Sequence, residues 1–261
     1  MQNINYLCDG RLGDFIMNLY VVYYNFVNTS RKGNIYFINS DKNWSRSLID
    51  TLPDLIIFLK NIDYIDQIKI YKNQYIDIDL SIWRNHIINP YKCMYEIFNI
   101  IYDIKDKSYL TCKYFNYKKT ANNYILFHSS LYRKNYNFNY DELFTLIKQT
   151  NKKLYFITTC KQEYDNFEHN KNIELLLCKN INEMATIINN SYLFISNLSA
   201  QFTFALACGI KQLLLFPSEI NDKNILWDNL AWHGIWEINN NIYYYFDNEK
   251  NTYKEFLLYI I

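Results

Sequence analysis

The stretch Ile4–Phe26, INYLCDGRLGDFIMNLYVVYYNF, decides the reading of the fold. Ile4, Tyr6, Leu7 and Cys8 make a short apolar strand. It runs into Asp-Gly-Arg-Leu-Gly-Asp, a loop holding two of the five glycines in the chain. From Phe15 the apolar residues fall at Phe15, Ile16, Leu19, Val22, Tyr23 and Phe26, the spacing of one helix face. Strand, glycine turn and helix form the opening unit of a parallel α/β sheet, and such folds place ligands at that turn. Asp14 stands there. It either caps the helix or offers a carboxylate at the rim of an interdomain cleft, placed to take a proton from a hydroxyl. With only Gly10 and Gly13, the loop lacks the spacing of a dinucleotide fingerprint, which argues against an NAD site.

Working outward, the same alternation continues. Strands are expected at 34–38, 67–71 and 75–83, with helices at 44–59 and 91–102. Residues 106–121 turn polar and lysine-rich, as at a domain junction. A second alternation follows: strands at 124–128, 153–158, 173–177, 192–196 and 212–216, and helices at 140–149, 181–189 and 200–208. The expected fold is therefore α/β, two Rossmann-like domains with mostly parallel sheets. The boundaries are 1–118 for the first domain and 119–261 for the second.

At 261 residues, half of them apolar and 18% aromatic, the chain has ample material for a large core. With 27 basic and 26 acidic residues the formal charge is +1, which gives no support to a nucleic-acid partner. The six cysteines form no CxxC pair and several sit in apolar runs, the pattern of buried reduced thiols in an intracellular protein. There is neither a signal-peptide pattern nor an apolar run of membrane-spanning length, so a cytoplasmic location is expected. No histidine or carboxylate cluster has metal-ligand spacing, and no metal is expected.

Three further strand-to-helix turns carry candidate chemistry. His128-Ser129-Ser130 is followed by Arg133 and Lys134; hydroxyls with two cations suit a diphosphate, or form a solvated basic loop. Thr158-Thr159 ends a strand in a way compatible with a nucleotide edge. Ser196-Asn197-Leu198-Ser199 precedes a helix starting near Ala200 and Gln201. Small polar residues leave the amides of its N-terminus open to a phosphate, although Ser199 also reads as a plain N-cap.

These four turns, in this order, resemble the heptosyltransferase-like glycosyltransferases of the GT-B fold, family 9 and its relatives. GRLGDFIMNL is similar to that family's first loop. HSSLYRKNYNFNYDELFTLIK is similar to the opening of its second domain, and the segment from Lys179 to Glu219 to its donor-binding half. The resemblance implies a GT-B-like pair of domains facing across a cleft and an inverting transfer of sugar from a nucleotide-activated donor to an acceptor hydroxyl, without a metal or cofactor. It places Asp14 on the catalytic base, Ser199 and Ala200 on the turn holding the diphosphate, and Arg133 or Lys134 on the facing cation. Ser129, Thr159 and Gln201 complete the candidate donor residues. Arg11, Gly13, Asn18 and Arg84 are the candidates for an acceptor that is a glycan, a lipid-linked group or a protein. Where the family usually has Asp-Thr/Ser-Gly and then a histidine, this chain reads Asn197-Leu198-Ser199-Ala200-Gln201-Phe202. That departure motivates one alternative, a non-catalytic nucleotide- or sugar-binding protein that retains the fold; a nucleotide-sugar epimerase of related architecture is a further reading.

Overall fold

The computed structural model describes residues 2–9, 12–39, 48–60, 62–83, 94–105, 115, 120, 123–130, 138–197, 199–215 and 242–245, to which all that follows refers. The first unit contains β1 (Ile4–Cys8), α1 (Leu12–Thr29), β2 (Gly33–Phe37), α2 (Leu48–Leu59), β3 (Ile65–Ile70), β4 (Ile78–Asp79) and α3 (Met94–Ile101). Its sheet has the order β3-β2-β1-β4, every pair parallel. The second unit contains β5 (Tyr124–His128), α4 (Tyr140–Lys148), β6 (Lys153–Thr158), α5 (Lys161–Asp165), β7 (Glu174–Leu177), α6 (Ile181–Asn189), β8 (Leu193–Ser196), α7 (Ala200–Ala207), β9 (Gln212–Leu215) and β10 (Ile242–Tyr245). Its sheet runs β10-β9-β8-β5-β6-β7, again parallel throughout. This is the two-sheet α/β architecture expected from the alternation.

The sheets are stacked through helices. One face of the second sheet, with Ile125, Phe127, Phe156, Leu193, Ile195, Leu213 and Leu215, packs against Leu143, Phe144 and Ile147 of α4. Its other face, with Leu126, Ile157, Phe194 and Leu214, belongs to a single apolar core shared with α6 and α7, with α1 and α2, and with Ile4, Tyr6, Cys8, Ile35 and Phe37 of the first sheet. Phe58 of α2 meets Phe204 of α7 edge-on at 5.1 Å, and Phe115 lies 5.3 Å from the Phe58 ring. The Phe115 amide donates to Ala207 O at 3.3 Å.

This seam explains two departures from the periodic reading. The spacing in α1 predicts one buried face, yet every residue from Phe15 to Val22 is buried. The helix has the first sheet on one side and α7 on the other, so its first half is enclosed all round. Residues 75–83 alternate like a strand, but only Ile78–Asp79 pairs with β1. Ser81 ends it: its amide and hydroxyl both donate to Asp79 Oδ1, at 2.8 and 2.6 Å, and the side chain turns the backbone out of the ladder.

One packing contact sets a measurable limit on the first sheet. A Cβ added at Gly33 would lie 2.6 Å from Val22 Cγ1 and 3.1 Å from Tyr6 Cε2. Both neighbours are fixed in the core. Gly33→Ala is expected to cost about 1–3 kcal/mol, read as a lower denaturant midpoint with an unchanged slope. An unaltered midpoint would show that α1 can shift away from β2.

Candidate active site

In each sheet the strand order reverses at one place, and the crevice beyond the strand carboxyl ends there is where open α/β sheets bind ligands. In the first sheet the chain leaves β1 for β2 and β3 on one side and returns to β4 on the other, so the switch lies between β1 and β4. The connection from β1 to α1, whose first turn carries Gly13 and Asp14, begins there. In the second sheet the switch lies between β5 and β8, whose ends carry His128, Ser129, Ser130, Ser196 and Asn197.

The fold brings the two switch points together. Gly13, in the first turn of α1, lies against the first turn of α7: a Cβ placed on it would stand 3.5 Å from Ala200 Cα, 3.7 Å from Thr203 Oγ1 and 3.8 Å from Ala200 N. The positive ends of two helix dipoles thus meet, an arrangement that favours negative charge between them. Asp14 follows Gly13 directly and is half-buried. Gly13, Asp14, Ser199, Ala200 and Gln201 are therefore neighbours, although the first two lie far from the others in sequence.

Ser199 is the N-cap of α7: its Oγ accepts from the Phe202 amide at 3.2 Å, and its carbonyl accepts from the Thr203 amide at 3.3 Å. The Ala200 and Gln201 amides have no partner inside the helix, which is the usual state of a first turn. Gln201 is 9% exposed. The Thr203 hydroxyl is turned back to Ala200 O at 2.6 Å.

Beneath this turn the ends of β5 and β8 are clamped by a residue the sequence reading did not single out as a site residue. Asn197, 2% exposed, accepts the Ser130 amide on Oδ1 at 2.9 Å and donates from Nδ2 to Ser130 O at 3.1 Å. Only an amide side chain can do both. Ser129 is buried, and its hydroxyl has no hydrogen-bond partner among the described residues. At the end of β6, Thr159 is half-buried, while buried Thr158 donates to Glu163 of α5 and accepts from the Cys160 amide at 2.9 Å.

Asn18 sits one helical turn beyond Asp14, but it is fully buried and its Nδ2 lies 3.9 Å from the Cys8 sulfur. Its place is beside the end of β1, within the core that encloses α1, and not on a surface open to an acceptor. Arg11, Arg84, Arg133 and Lys134 fall outside the described residues. Cys8, Cys178 and Cys208 are buried thiols, and burial pushes Cys178 up to about 12, far from a reactive thiolate. Tyr102, whose hydroxyl donates to Asp79 O at 3.0 Å, is likewise raised by burial and then by the Asp79 carboxylate. Among the described residues no group of three His, Cys, Asp or Glu side chains is arranged to hold a metal, and no helix is long and apolar enough to cross a membrane.

No protein-family model matches the chain, and no curated protein matches it in sequence. In three dimensions it is similar to the Escherichia coli heptosyltransferase WaaC, solved with ADP, at a TM-score of 0.68 and 9% identity, over 100% of both chains. It is also similar to a glycosyl transferase of family 9 from Veillonella parvula, at a TM-score of 0.57 and 10% identity, over 99% of this chain and 90% of that one. A third likeness is to E. coli ADP-heptose LPS heptosyltransferase II, at a TM-score of 0.54 and 9% identity, covering 98% and 96%. These likenesses establish the fold. The chain has the heptosyltransferase-like GT-B architecture that its four turns suggested.

Proposed function

We propose that this protein is an inverting glycosyltransferase that moves a sugar from a nucleoside-diphosphate donor to an acceptor hydroxyl. The observation that carries the reading is the meeting of the Gly13-Asp14 turn with the first turn of α7, at the switch points of two parallel sheets. Sugar transfer needs two things that lie on opposite sides of the anomeric carbon. One is a base for the acceptor hydroxyl, and Asp14 supplies it from the first unit. The other is fixed positive potential for the departing diphosphate, and the start of α7 supplies it from the second. The Ser129 and Ser199 hydroxyls add donors, and Arg133 and Lys134 add cations. Attack from the Asp14 side on a carbon whose leaving group is held on the α7 side inverts its configuration. Neither role calls on a metal or an organic cofactor.

The fold of an ADP-bound structure and the donor-side turn both support a nucleotide-sugar donor. The proposed acceptor contacts come from the first unit, with Arg11, Gly13 and Arg84 as the candidates. The acceptor's proposed class is a glycan, a lipid-linked group or a protein, and the proposed location of the reaction is the cytoplasm.

Thermal shift with ADP, UDP, GDP, CMP and NAD, each nucleotide also as its common sugar conjugate, tests the reading. A ligand at about 100 times its Kd adds roughly 2.7 kcal/mol of stability. One nucleoside diphosphate is expected to raise the melting temperature by several degrees and to compete with its own sugar conjugate. A shift with NAD alone, or with none of them, would overturn the donor assignment.

A further inference from the structure

Three polar atoms lie at the carboxyl ends of β5 and β8 with no hydrogen-bond partner among the described residues: His128 Nε2, Ser129 Oγ and Ser196 Oγ. Their residues are 0%, 4% and 1% exposed. His128 and Ser196 are register partners on adjacent parallel strands and so share a sheet face. By strand alternation it is the face of Leu126, Phe194 and Leu214, which packs with α6 and α7 in the shared core. Both side chains therefore stand on the α7 side, at the strand ends from which that helix starts.

The imidazole is anchored. Its Nδ1 lies 2.9 Å from Ile157 O, and a carbonyl only accepts, so Nδ1 carries the proton and Nε2 a lone pair. From β6 the ring faces Phe156 at 5.9 Å. From α5 it feels the Glu163 carboxylate, itself held by the Thr158 hydroxyl. The β8 neighbour, Ser196, does not ionise, and neither do Ser199 and Gln201 at the start of α7. On α1, Asp14 is the acidic residue of the first turn. Burial holds the ring neutral, below the usual histidine range, while Glu163 pulls the other way.

We propose that His128 is part of the anion site and takes up a proton when a nucleoside diphosphate binds, so that the binding form carries an imidazolium beneath the diphosphate. The inference rests on the donor reading above and adds a residue and a regulation to that site. A proton moves from solvent to Nε2, and no other bond changes. In the free protein an imidazolium there has burial against it. A diphosphate at the start of α7 supplies the negative charge that makes it favourable, and Ser196, on the same sheet face, supplies a hydroxyl oxygen for the new N–H. By linkage, affinity then rises as pH falls, by up to about tenfold per unit between the free and bound pKa values.

The test is calorimetry at pH 6.5 and 7.5, in two buffers of different ionisation enthalpy. The probe is whichever of ADP-, UDP- or GDP-glucose binds, since these diphosphate diesters have no proton of their own to exchange in this range. Wild type is expected to take up a fraction of a proton per ligand. His128→Asn, whose amide can still donate to Ile157 O, is expected to take up none and to lose the pH dependence of its affinity. Binding without uptake in wild type, or equal uptake in the variant, overturns the role of His128 and leaves the donor site standing. No binding by any of the three overturns both. Nitrogen-15 NMR of wild-type histidines separates the same outcomes without a variant. Nε2 should move from the unprotonated to the protonated range on saturation, and an unmoved resonance overturns the proposal.

Discussion

Asp14→Asn is expected to lower the transfer rate on the order of 10²-fold or more while leaving nucleotide affinity almost unchanged. The asymmetry follows from where the residue stands. Asp14 lies in the first turn of α1, next to the Gly13 contact with Ala200, whereas the diphosphate is proposed to bind the caps and amides at the start of α7. An amide of the same shape occupies the same space but cannot take a proton from a hydroxyl. The loss of a carboxylate from a helix N-terminus costs about 0.3–1 kcal/mol, so a small drop in melting temperature is expected and does not account for the lost rate. Transfer is followed by product formation, and the anomeric configuration by NMR. If the chain is a non-catalytic binder that kept the fold, wild type and variant alike turn over nothing and bind equally. An epimerase changes its nucleotide sugar with no acceptor present.

Asn197→Asp is the second large effect, and it falls on stability first. The wild-type amide accepts from the Ser130 amide and donates to the Ser130 carbonyl, tying β5 to β8. A carboxylate keeps the first bond, loses the second and faces the carbonyl oxygen it used to serve, at a residue only 2% exposed. The lost bond and the buried charge together are expected to cost on the order of 3 kcal/mol, read from the denaturant midpoint. The sign with pH is a further check. A buried aspartate with its pKa raised in the folded state regains stability as pH falls, because the protonated acid can donate to Ser130 O again. The deficit relative to wild type should therefore shrink below neutral pH. A deficit that is small, or that grows on acidification, would mean that the strand ends are held by something other than this pair.

The fold was legible wherever local periodicity and burial agree. β5 at Tyr124–His128, β6 at Lys153–Thr158 and α6 at Ile181–Asn189 have the bounds their apolar spacing predicts. The central strands β8 and β9 are buried at every position, as continuous apolar runs in a parallel sheet should be. Short elements without an apolar face escaped the pattern: α5 buries none of its side chains. The site was legible as four turns and not as a constellation. Gly13 touching Ala200, and Asn197 holding Ser130 across 67 residues of chain, are products of topology, and no spacing within either segment announces them. Asn197 had a weak signal in advance, a strand ending in an amide where the family usually has an acid. Its partner became visible only with β5 and β8 side by side. Asn18, named as an acceptor candidate, is buried instead, because α1 has no open face at that level.

The shared core also bears on how such a protein can change its preferences. Phe58, Phe115 and Phe204 interlock across the junction, and α1 lies on α7 with glycine and alanine at the point of contact. The two halves are therefore not interchangeable cassettes. A second half taken from a relative would bring its own α6 and α7 surfaces, and these would have to fit the first half's aromatic wall before any new ligand could be received. Altered specificity is more easily reached by substitutions in the turns, which leave the seam intact, than by exchange of a whole half.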